Sequence, residues 1–129
     1  MAERVTGIGG IFFKAQDAGK LREWYATHLG LKLEPWGGMQ FEWKHADESG
    51  RPGRTVWAIF DRDGDYFKNS RADFMLNYRV ENLDSVLKAL AAEGVEIDPK
   101  RDDSEYGRFA WITDPEGNRI ELWEPPAGM

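Results

Sequence analysis

The stretch Thr113–Pro125, T-D-P-E-G-N-R-I-E-L-W-E-P, decides how the chain is read. Asp114-Pro115-Glu116-Gly117-Asn118 is a tight turn: proline presets one φ angle, and glycine or asparagine accepts a positive one. A strand follows, in which Arg119, Glu121 and Trp123 alternate with Ile120 and Leu122. Glu121 stands out, because a carboxylate in the middle of a core-like strand belongs to a pocket, to a metal, or to a wet sheet face.

Working outward, the chain shows one supersecondary order twice. In the first half Ile8–Ala15 is strand-like. Asp17 caps a helix running to about His28, with Leu21, Trp24, Tyr25 and Leu29 near one face, and Gly30 ends it. Leu31–Glu34 is a short strand, Met39–Lys44 a second and Thr55–Phe60 a third, with a polar loop over Ala46–Arg54. In the second half Asp73–Val80 is a strand, and Asn82 or Asp84 caps a helix carrying Leu83, Val86, Leu87, Leu90 and Ala91 on one side. Gly94 ends that helix. Val95–Ile97 is a short strand stopped by Pro99, Asp98–Glu105 a charged loop, and Phe109–Thr113 and Arg119–Trp123 the last two strands. The order is β-α-β-β-β, twice. Neither half can bury both sheet faces alone, so the uncovered faces meet each other, a ligand or a partner.

Bulk properties narrow the classes. With 129 residues the chain has one domain's worth of length. It has no cysteine, which excludes disulfides, Cys-ligated zinc and thiol nucleophiles. The net charge of −6 and the scattered basic residues argue against a nucleic-acid surface. No apolar run reaches the length of a membrane span, and M-A-E-R-V-T-G lacks the apolar core of a signal peptide, so a cytoplasmic location is expected. Six tryptophans are many for this length and suit an apolar cavity or a subunit contact as well as a core.

Strand alternation gives a set of cleft-facing residues. With Glu121 inward, Arg119 and Trp123 share its face. Met75, Asn77 and Arg79 face the same way on their strand, while Phe74, Leu76, Tyr78 and Val80 pack away from it. Gly10, Phe12 and Lys14 do so on the first strand, and Phe109 shares a face with Trp111. Gln40, Glu42 and Lys44 alternate with Phe41 and Trp43, with the inward side left open. Glu121, Asn77 and Arg79 then put polar groups in a pocket walled by Phe12, Met75 and Trp111. The competing reading pairs Glu121 with Arg79 or Arg119 across neighbouring strands, with no ligand involved. Tyr106, in the loop D-D-S-E-Y-G, could close over a ligand, and Tyr66 and Phe67 could touch the cavity rim or a partner chain.

Three motifs, W-Y-x-x-x-L-G-L at Trp24–Leu31, V-E-N-L-D at Val80–Asp84 and D-P-E-G-N-R-I-E-L-W-E at Asp114–Glu124, resemble those of the vicinal oxygen chelate superfamily. This superfamily holds glyoxalase I, extradiol dioxygenases, fosfomycin-modifying enzymes and bleomycin-binding proteins. The resemblance covers almost the whole chain. It implies an α+β fold in which two βαβββ modules, about residues 7–63 and 72–125, form a curved mixed sheet with a cleft. It also implies a homodimer. Metal-using members draw ligands from positions that match Gly10, Ala58, Met75 and Glu121 here, so only Glu121 keeps a ligand. The chain is therefore expected to use no cofactor and to hold no metal at the usual site. His28, at a helix end, and His45, at a strand edge, are the only histidines. A displaced metal site would have to use Glu42, Glu121 and His45.

The expected function is binding of an unidentified small molecule in an aromatic-lined cleft, with Phe12, Met75, Asn77, Arg79, Tyr106, Trp111 and Trp123 as ligand-binding residues. One alternative is a glyoxalase-type lyase or isomerase with Glu121 as catalytic base or metal ligand. The other is a non-enzymatic protein-interaction or regulatory module.

Overall fold

The computed structural model describes residues 4–45, 49–68, 70 and 72–129. Nine elements follow in the order β1 (Val5–Ala15), α1 (Ala18–Leu29), β2 (Gly38–Lys44), β3 (Pro52–Asp61), β4 (Phe74–Val80), α2 (Leu83–Ala92), β5 (Glu96–Ser104), β6 (Gly107–Thr113) and β7 (Arg119–Glu124). The strands form one mixed sheet in the order β2-β3-β1-β4-β7-β6-β5.

The sheet carries its internal repeat in its hydrogen bonding. In each half the first strand pairs parallel with the last, β1 with β3 and β4 with β7. In each half the last strand also pairs antiparallel with the strand before it, β2 with β3 and β6 with β7. β1 and β4 join the halves antiparallel. Phe12 stands opposite Ala58 in one half, and Asn77 opposite Glu121 in the other. The halves thus place Phe12 and Asn77, and Ala58 and Glu121, at equivalent points.

The helix ends follow their local chemistry. The Asp17 side chain accepts from the Lys20 N–H and that of Asn82 from the Ser85 N–H. Both satisfy amide groups that a first helical turn leaves open. The Glu124 carboxylate at the end of β7 accepts from the Leu83 N–H at 2.8 Å, which fastens α2 to the sheet. Gly30, at φ 72°, closes α1 in the left-handed conformation that glycine tolerates. In the 114–118 turn, Asp114 Oδ1 accepts from the Glu116 and Asn118 amides, and these bonds hold its carboxyl below the usual range.

Each helix covers part of the outer sheet face. Phe13, Ala15, Ala18 and Ile59 pack beneath α1 with Leu21, Tyr25 and Trp57. Val80, Leu83, Val86, Ala110 and Leu122 pack beneath α2 with Ile112 and Ile120. A third cluster, Phe12, Ala58, Phe67, Met75 and Trp111, lies on the opposite face.

The structure corrects several sequence expectations. Leu31–Glu34 is not a strand; the Glu34 and Gly37 amides instead close the turn into β2. The expected loop over 46–54 is shorter, because Pro52–Arg54 pair with β2, and residues 46–48 lie outside the described set. The expected charged loop over 98–105 is mostly β5, which runs through Pro99 because its pairing with β6 shifts between Ile97 and Arg101. Trp24 and Leu29 are half or more exposed rather than packed, with Trp24 lying against Tyr25 and His28. Phe74 and Leu76 do not pack under a helix: with Ile8 and Ile11 they form an exposed apolar stripe along the β1–β4 seam.

Candidate functional site

The sheet curves around a pocket of about 330 Å³ lined by Phe12, Trp36, Gln40, Val56, Tyr66, Asn77, Tyr106, Phe109, Glu121, Trp123 and Met129. Its floor is built on Glu121, which is fully buried. Three side chains from three places in the chain donate to that carboxylate. Asn77 Nδ2, on the neighbouring β4, donates to Oε2 at 2.7 Å. Trp111 Nε1, directly across on β6, donates to Oε1 at 3.1 Å. The Tyr66 hydroxyl, from the segment between β3 and β4, donates to the same oxygen.

The electrostatics follow from burial. Desolvation pushes the Glu121 carboxyl up from its ordinary value; the bonds from Tyr66, Asn77 and Trp111 and the field of Arg119 pull it partly back. Burial and the neighbouring carboxylate push the Tyr66 phenol up as well, so it stays a protonated donor. Asn77 is 2% exposed, and with its amide nitrogen turned to Glu121 its Oδ1 has no partner among the described residues.

The walls are aromatic. Tyr66 stacks on Phe60 with the rings 4.8 Å apart and meets Trp111 edge-on at 6.2 Å. Trp123 stacks on Phe109, and its indole N–H bonds the Tyr106 carbonyl at 2.8 Å, which anchors the Tyr106 loop. Trp36 and Tyr106 are more than half exposed at the rim.

Of the residues expected around the cleft, the structure brings Phe12, Asn77, Tyr106, Glu121 and Trp123 to one pocket. Met75 and Trp111 are buried beside it in the cluster that supports Phe12. Arg79 departs from the expectation. Its side chain runs across β1 to the Arg54 carbonyl at 3.0 Å, and it borders a separate pocket. The alternative of a Glu121 ion pair with Arg79 or Arg119 is not what the fold forms, since Arg119 pairs with Asp98 at 2.9 Å. Bonds from the Lys100 amide and Arg119 hold the Asp98 carboxyl down at about 2.

Tyr66 was placed by sequence only at a rim or partner contact, yet it meets the central carboxylate. Trp36, Val56 and Met129 carried no sequence signal for the pocket, and Gln40 was on a strand whose inward side was open. Its pairing with Val56 settles that side.

The positions where related proteins keep a metal do not fit one here. Gly10 and Ala58 offer no side-chain donor and Met75 only a thioether, which suits soft metals. Both Glu121 oxygens already accept from protein donors. Glu42 lies toward Arg54 and His45 against Trp43, and no group of three His, Asp or Glu side chains comes together among the described residues.

Comparison with known proteins agrees with this architecture. The chain is similar to a Mycobacterium tuberculosis methylmalonyl-CoA epimerase, with 20% identity, 98% of this chain and 92% of that one covered, and a TM-score of 0.63. It is also similar to a Streptomyces coelicolor methylmalonyl-CoA epimerase variant in complex with 2-nitronate-propionyl-CoA, at 17% identity, 95% and 99% coverage and a TM-score of 0.63. A Legionella pneumophila structure named as an NAD-dependent benzaldehyde dehydrogenase follows at 13% identity, 91% and 98% coverage and a TM-score of 0.58. At these identities the likeness shows the fold alone. No curated protein matches the chain. Residues 7–122 match the Glyoxalase/Bleomycin resistance protein/Dioxygenase superfamily, and the chain belongs to that family.

Proposed function

We propose that the protein binds a flat apolar or aromatic small molecule in the Glu121 cleft without a metal. The observation that carries this reading is the buried carboxylate that accepts from Tyr66, Asn77 and Trp111 at the floor of an aromatic pocket. A general base needs a free lone pair aimed at its substrate, and a metal ligand needs one aimed at the ion. Three of the roughly four lone-pair positions of Glu121 are taken by these donors, which fixes the shape of the pocket. Phe12, Tyr106 and Trp123 contact the ligand, with Met75 and Trp111 holding the wall behind them. Arg79 takes no part in this pocket.

Calorimetric titration with a panel of neutral aromatics and aromatic amines tests this reading, with tryptophan quenching as a second readout. At least one compound should bind one-to-one. The Trp123→Leu variant should bind it on the order of tenfold more weakly, the loss of one large aromatic contact. A panel with no saturable binder sinks the proposal.

The second reading is proton transfer by Glu121, with Tyr66 as its partner. Burial that raises the Glu121 pKa favours it. A buried carboxyl acting in this way would take a carbon acid next to a carbonyl as substrate. Solvent deuterium entering such a compound, and stopping with Glu121→Gln, would select this reading over simple binding.

The exposed stripe of Ile8, Ile11, Phe74 and Leu76 supports a homodimer in which this seam is covered.

A further inference from the structure

Arg79 is 5% exposed, yet no carboxylate pairs with it among the described residues. A guanidinium taken out of water normally finds an anion, since its desolvation is otherwise uncompensated. Here β1 makes room for it. A Cβ on Gly9 would lie 3.0 Å from Arg79 Cγ, and one on Gly7 would lie 3.9 Å from Cδ, so the side chain lies flat across a glycine track. The guanidinium then sits 5.0 Å from the Trp43 ring and 5.2 Å from the Trp123 ring. One nitrogen donates to the Arg54 carbonyl, while Nε and the other nitrogen make no hydrogen bond within the described residues and are not sealed off. Beside it lies a second pocket of about 240 Å³, bordered also by Thr6, His45, Arg51 and Glu81. Among the described residues its one acidic side chain, Glu81, lies 3.8 Å from Arg51.

We propose that this pocket is an oxyanion site, in which the clamped Arg79 guanidinium binds a carboxylate or phosphate group. The two indoles fix the plane of the fork before the ligand arrives, so little side-chain entropy is left to lose. Planar N–H pairs match oxyanions bidentately, and Nε with the second terminal nitrogen of Arg79 forms such a pair. The site is separate from the Glu121 floor, although Met129 borders both pockets.

The test is an NMR titration of the Arg79 Nε–H signal, assigned by its loss in Arg79→Lys. Inorganic phosphate and acetate are the two arms, at constant ionic strength set with chloride. The expected result is a saturable shift with at least one anion, at a dissociation constant on the order of 1 mM. A stronger response to phosphate assigns a phosphorylated ligand, and a stronger response to acetate a carboxylate. Anion binding followed by calorimetry should weaken about tenfold in Arg79→Lys, which keeps the charge but loses the fork. It should persist in Glu121→Gln, which separates this site from the aromatic cleft. Absence of a saturable shift with either anion overturns the proposal. So does equal binding by folded Arg79→Met, its fold verified by circular dichroism.

Discussion

Glu121 carries a cost that depends on pH. Its folded-state pKa is raised, so its contribution to stability is fully present below the unfolded carboxylate value and is lost as pH rises through the folded value. Replacing it with glutamine removes that titration. Glu121→Gln should therefore melt at a temperature that rises relative to wild type as pH goes from about 4 to about 8. Circular dichroism melts across that range measure it, and a constant gap between the two proteins contradicts the account. Glu121 and Asn77 were legible in the sequence because both are polar residues on an inward phase of a strand. Tyr66 was not, since no periodicity constrains a segment outside the strands, and only the fold brings its hydroxyl to Glu121. Arg79 had the correct face but the wrong pocket, because phase says nothing about which way a long side chain lies along the sheet.

At the scale of elements, β1 matters for what it lacks. A Cβ on Gly9 would collide with the Asn77 carboxamide and lie 2.9 Å from the Trp123 ring, in addition to Arg79. Gly9→Ala should destabilise the protein by about 1–3 kcal/mol, the usual cost of overpacking a filled site. It should also weaken ligand binding in both pockets, because it pushes on Asn77 and Trp123, which line one, and on Arg79, which lines the other. Denaturant unfolding checks the first effect, and an unchanged midpoint would contradict it. Asn82→Ala should cost about 1 kcal/mol by removing the cap bond to Ser85, with binding unaffected. Its readout is the same unfolding midpoint together with the ligand affinity. Both helices and their caps were legible from residue spacing. The misread segments were those where pairing overrides local composition. Polar β5 is a strand because β6 offers it a ladder, and the alternating Leu31–Glu34 is not one because it has no strand partner.

For the molecule as a whole, the repeat places equivalent positions of its halves side by side and fills them differently. Phe12 and Ala58 make one half of the cleft apolar, while Asn77 and Glu121 make the other polar. That asymmetry suits an oriented ligand better than a symmetric ion cage. The seam on the outer face is the proposed dimer contact, and sedimentation should give a dimer that Leu76→Glu converts to monomer. A monomeric wild type would remove that part of the account. The central claim is that the cleft binds its ligand without a metal. Its most direct measurement is a calorimetric titration of chelator-treated protein with the tightest compound of the aromatic panel, repeated with added zinc, nickel, manganese or iron. The account predicts one-to-one binding whose affinity changes less than about twofold with any metal. Binding that requires a metal, and that Glu121→Gln abolishes together with metal uptake, would contradict it.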